Sequence, residues 1–103
     1  MKSWIGVVSM SMEILGATSL KDRRQVMRSL ADGLRKHFKV SCADLGPAGM
    51  RNRADIAVAF VSSSYEEAGT RADQCIKFLR RAEDEGEFVI FETRREVFAY
   101  GDF

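Results

Sequence analysis

The chain has 103 residues, 46% hydrophobic and 30% charged, with a formal net charge of +1. That balance excludes a disordered chain, and the length fits one domain, 1–103, whose core needs neither disulfide nor metal. No apolar run approaches the roughly 18 residues of a membrane span, and Met1-Lys2-Ser3-Trp4 does not open a signal peptide, so a cytoplasmic protein with no membrane partner is expected.

Trp4 to Ile14 reads as a strand. Val8, Met10, Met12 and Ile14 alternate with Ser9, Ser11 and Glu13, and the first half is apolar on both faces, as in a central strand. Gly16 ends it. Ser19 is an N-cap residue with Asp22 three positions on, a capping box with Asp in place of Glu. In the helix that follows, Leu20, Met27, Leu30, Leu34 and Phe38 share one face. At about 100° per residue, Lys21, Arg24, Arg28, Arg35 and Lys39 gather in a stripe about 60° wide on another. Arg23 points toward the apolar side and is expected to snorkel outward on its stem. Gly33 marks close packing.

Phe38 to Leu45 reads as a second strand, ended by Gly46-Pro47-Ala48-Gly49. Asp55 to Val61 is apolar on both faces, a second central strand. Ser62-Ser63-Ser64 supplies an N-cap for a helix with Tyr65, Ala68, Ala72, Cys75, Ile76 and Leu79 inward, ended at Glu85-Gly86. Glu87 to Tyr100 is a last extended segment, long against a modal strand of about five or six residues. A bend or bulge is expected at Thr93-Arg94-Arg95-Glu96, or an overhang onto a partner.

The order βαββαβ, with right-handed crossovers, points to an α+β, ferredoxin-like fold: a four-stranded antiparallel sheet, order 4-1-3-2, with both helices on one face. The first and third strands, apolar on both sides, are the two that this order makes central.

Function has to be argued from sites. The single histidine, His37, fits a surface position near a helix C-terminus. The two cysteines, Cys42 and Cys75, have no metal-type spacing and read as buried thiols. No phosphate-cradling or metal motif is present, so no cofactor, no metal and no enzymatic activity are expected. Ile56, Val58 and Phe60 face the helices, which leaves Ala57, Ala59 and Val61 on the open face and no ring there to stack an RNA base.

Two surfaces stand out. Ile5, Val7, Ala57, Ala59 and Val61 line the open face, where a polar surface is the rule. Such a patch points to self-association, giving a homodimer, unless the tail from Phe98 to Phe103 folds back over it. The segment from Ser19 to Lys39 carries a net +5, against −2 from Tyr65 to Glu85. Its stripe spans eighteen residues, about 27 Å at 1.5 Å each. It is either a solvated face or a phosphate-binding one, which Arg51 and Arg53 would extend.

Gly16, Ala17, Ser19, Leu20, Lys21, Arg24, Arg28, Leu30, Phe38, Val40 and Ser41 carry a resemblance to the YlxP-like family, small bacterial proteins with a domain of unknown function numbered 503. The stretch departs from the family pattern at Gly46-Pro47-Ala48-Gly49-Met50. The resemblance implies a ferredoxin-like fold. Genes of such proteins often stand among those for transcription and translation factors, including a ribosome-binding factor. The expectation is a non-enzymatic protein that meets RNA or a ribosomal particle through its basic helix. The alternative is a dimeric protein-interaction or small-ligand module assembled through the open sheet face.

Overall fold

In the computed structural model, which describes residues 1–101, β1 (Ser3–Ile14), α1 (Leu20–Phe38), β2 (Ser41–Gly46), β3 (Arg53–Ser62), α2 (Tyr65–Glu83) and β4 (Phe88–Tyr100) follow one another. The strands form one antiparallel sheet in the order β2-β3-β1-β4, the expected ferredoxin-like arrangement. Among the described residues no helix is long and apolar enough to cross a membrane.

One parity of each central strand goes under the helices. Val8, Met10, Met12 and Ile14 of β1 and Ile56, Val58 and Phe60 of β3 are buried with Met27, Leu30 and Leu34 of α1. Ala68, Ala72, Cys75 and Leu79 of α2 join the same core. Each large side chain so covered contributes about 1.5–3 kcal/mol. Two glycines make room for rings. A Cβ on Gly6 would lie 2.2 Å from the ring of its cross-strand partner Phe60, and one on Gly33 would lie 2.5 Å from Phe78. Gly33 is therefore the point of close approach between the helices.

The helix starts are built by side chains. Ser19 Oγ accepts from the Asp22 N–H at 3.1 Å, and Ser64 Oγ from the Glu67 N–H at 3.1 Å. The Asp22 carboxylate does not complete a capping box. It accepts instead from the Thr18 N–H and hydroxyl, at 3.0 and 2.8 Å.

Local departures from the sequence reading have physical reasons. The second strand begins only at Ser41, because α1 runs through Phe38 and Lys39 takes a left-handed cap conformation, φ 50°. The irregularity in β4 falls earlier than expected. Ser11 pairs with Glu92 and Met12 with Ile90, so Phe91 is the extra residue of a bulge. β4 pairs with β1 along its whole length and has no overhang.

Candidate functional site

The flank of α1 carries the basic residues. Lys21, Arg24 and Arg28 are exposed and, with Gln25, line a hollow of about 190 Å³. None of the three makes an ion pair among the described residues. Arg35 is drawn onto the sheet edge: its guanidinium donates to the Cys42 carbonyl at 2.7 Å and lies 3.7 Å from Asp32. Lys39 sits past the helix end, and Arg51 is exposed in the turn before β3. The cations that gather on one hollow thus run from position 21 to 28, about 11 Å along the axis, with Lys39 and Arg51 apart from them.

Arg53 does not extend this surface. It lies on the open side of the sheet, its guanidinium 4.7 Å from the Phe91 ring centre, a cation–π stack across β1. The stack covers that end of the face. Ser11 beneath it is only 4% exposed, and Arg53 Nε and Asp55 Oδ1 are shut from solvent with no hydrogen-bond partner among the described residues.

Arg23 also differs from expectation. It does not snorkel to solvent but is 6% exposed. Its Nε donates to the Arg53 carbonyl at 2.7 Å, and its two terminal nitrogens donate to the Asp44 carboxylate at 2.7 and 2.9 Å. The bidentate geometry suits a guanidinium and no lysine could reproduce it. Those hydrogen bonds hold the Asp44 carboxyl below its ordinary range, and the Arg23 guanidinium is held further toward its charged form. One residue of α1 thereby ties the end of β2 to the start of β3. The signal in the sequence was its placement among apolar neighbours.

The open face holds Ile5, Val7, Ala57, Ala59 and Val61, as the strand parity required, with Ser41 and Ala43 beside them on β2. Val61 is 63% exposed. Rings are present after all, supplied by the edge strand. Phe98 pairs with Ile5 and Tyr100 with Ser3, and they are 39% and 62% exposed. Phe98 to Tyr100 belong to β4 and do not fold back over the patch; Asp102 and Phe103 lie outside the described residues. The face therefore has a small-residue floor over β2 and β3, and on β4 a margin that is aromatic at Phe98 and Tyr100 and charged at Glu92, Arg94 and Glu96.

Chemically reactive groups are muted. Cys75 is fully buried, which pushes its thiol up to about 11, and Cys42, half-buried, is also raised by desolvation. Both are free. Among the described residues no three His, Cys, Asp or Glu side chains gather to hold a metal ion.

Solved structures share the fold. A dimeric protein of unknown function with a ferredoxin-like fold, from Bacteroides fragilis, superposes with a TM-score of 0.56 at 9% identity, over 95% of this chain and 96% of that one. SnoaB, a cofactor-independent oxygenase from Streptomyces nogalater, superposes in a point-mutant form with a TM-score of 0.52 at 14% identity, over 92% and 90%. The expectation that the chain is not an enzyme is corrected by this finding. The same fold carries an oxygenase, so the absence of a familiar acid–base constellation does not exclude catalysis. At such identities the likeness establishes the fold alone. A comparison with curated proteins finds no match. A family model described as "Protein of unknown function (DUF503)" matches residues 5–95, and the chain belongs to that family.

Proposed function

We propose that the protein works as a homodimeric binding module, assembled face to face through the open side of its sheet. The observation that carries this reading is the patch of Ile5, Val7, Ala57, Ala59 and Val61, which no described element covers, with Ser41 and Ala43 on one side and Phe98 on the other. A contiguous apolar patch on a central sheet is a contact surface. A two-fold axis parallel to the strands lays β4 of one copy over β2 of the other, with Glu96 and Arg94 at the level of Ser41 and Ala43 and with Phe98 and Tyr100 beyond them, at the level of Val61 and the strand end. Edge-to-edge pairing is the poorer alternative, because β4 is blunted by its bulge at Phe91 and by Glu92, Arg94 and Glu96. A dimeric protein of the same fold adds support. In such a dimer both α1 flanks stay exposed.

The test is Ala59→Asp, measured by sedimentation. The wild-type chain is expected at twice the protomer mass and the variant at one, since two carboxylates in a dry interface cost more than the contact returns. An unchanged mass in the variant would sink the reading.

A second reading, contact with RNA or a ribosomal particle, is favoured by the convergence of Lys21, Arg24 and Arg28 on one hollow with no ion-pair partner among the described residues. Three phosphate contacts to a single strand predict a log–log salt slope of about −2. Arg24→Glu with Arg28→Glu is expected to abolish retention on RNA at low salt while the circular dichroism stays unchanged. Retention by the double variant would end this reading.

A further inference from the structure

The two helices touch at Gly33 and Phe78, and the groove between them opens on either side of that contact. Toward the end of α1 it forms a hollow of about 390 Å³ lined by His37, Phe38, Gln74, Lys77, Phe78 and Arg81. Three rings build one wall: His37 and Phe38 lie 6.0 Å apart, His37 and Phe78 5.7 Å, Phe38 and Phe78 5.8 Å. Among the described residues the only Lys, Arg, Asp or Glu side chains that line it are Lys77 and Arg81, and neither is in an ion pair. On the other side of Phe78 the groove changes character. That hollow, about 320 Å³, shares Phe78 and Arg81 but adds Glu85 and Glu87.

We propose that the hollow at His37 and Phe78 binds a small aromatic carboxylate, its ring system against Phe38, Phe78 and His37 and its carboxylate between Lys77 and Arg81. The volume lies at the lower end of the range of about 300–1,000 Å³ for small-molecule sites, enough for one or two fused rings. Aromatic faces and edges at these separations accept a further ring in offset or edge contact. A guanidinium and an ammonium with no carboxylate of their own are matched by one planar carboxylate, which Arg81 can take in two parallel hydrogen bonds. The acids on the far side of Phe78 repel the same group, so the ligand's charge selects one end of the groove. The site lies on the helix side of the sheet and is independent of the open face.

The probe is 2-naphthoate, titrated into the full chain and followed by calorimetry and by the aromatic NMR signals. Saturable binding that shifts the His37, Phe38 and Phe78 rings is expected. Naphthalene-2-carboxamide, which keeps the rings and loses the charge, is expected to bind at least tenfold more weakly, as is 2-naphthoate to Lys77→Glu with Arg81→Glu. The Ala59→Asp variant is expected to bind 2-naphthoate as the wild type does, which separates this site from the dimer contact. Equal affinity for acid and amide, shifts confined to Phe98 and Tyr100, or no saturable binding would each overturn the proposal.

Discussion

The two sides of the sheet are built from the same four strands and follow opposite rules. The side under the helices uses bulk fitted into gaps: Met10, Met12, Ile56 and Leu34 are at most 1% exposed, and Gly6 is left empty so that Phe60 can lie across it. The other side keeps its centre low with alanine, serine and valine and places its rings at the margin. A packed interior punishes any change of volume. The contact proposed for the open face would tolerate change in the lone chain and register it only on association. The difference between the two faces is therefore one of consequence for the monomer, and substitutions can measure it.

The largest loss is expected for Gly6→Val. Its Cβ would lie 2.2 Å from Phe60, so the ring must leave its place, and the Arg71 guanidinium now 5.2 Å from that ring loses its platform. Overpacking at this point costs about 3 kcal/mol, a fall in Tm of about 12–24 °C for a domain of this size. Arg23→Met comes next, at about 2 kcal/mol in chemical denaturation, because it removes three hydrogen bonds while Asp44, about a third exposed, regains solvent. This loss has a pH signature. The folded carboxyl of Asp44 is held below its unfolded value of about 3.9, so its stabilisation is complete above that pH and fades as the pH falls through the folded value. The gap between wild type and Arg23→Met should be flat above about pH 5 and narrow as the pH falls below about 4, leaving the part carried by the Arg53 carbonyl, which does not titrate. The smallest effect on the protomer is expected from Ala59→Asp, about 1 kcal/mol or less, though it alone of the three is expected to halve the mass. A large loss of protomer stability in Ala59→Asp would erase the contrast between the faces.

How much of this was legible in the chain follows from the same contrast. The element order, the central pair of strands and the close approach at Gly33 come from local periodicity, and the structure has them. The parity of β4 was not legible. Phe88 and Ile90 turn under the helices at even positions, but beyond the extra residue Phe91 it is Thr93, Arg95 and Val97 that do so. Arg95 then reaches Asp73 at 2.8 Å and the Gly69 carbonyl at 3.2 Å on α2, and Phe98 and Tyr100 turn outward. A bulge is a property of the pairing between two strands, so no single strand's pattern announces it. The fates of Arg23, Arg35 and Arg53 were hidden for a related reason. Each reaches a partner on another element, and neither a helical angle, for Arg23 and Arg35, nor a strand start, for Arg53, could tell a free cation from an anchored one.

The attachment of β2 has a further consequence. Four of its six residues are exposed, and only Cys42 and Gly46 are half-buried. Its ties to the helix layer are the Arg23 and Arg35 guanidinium groups, gripping Asp44 and the Cys42 carbonyl, and one side chain, Cys42, packed on the core. A ribbon fastened mostly by charge is expected to peel first when acid or concentrated salt weakens its fastenings, while the remaining three strands stay seated on their apolar bed. The chain thus carries, beside its cationic flank, a margin whose looseness is expected to follow the ionic surroundings.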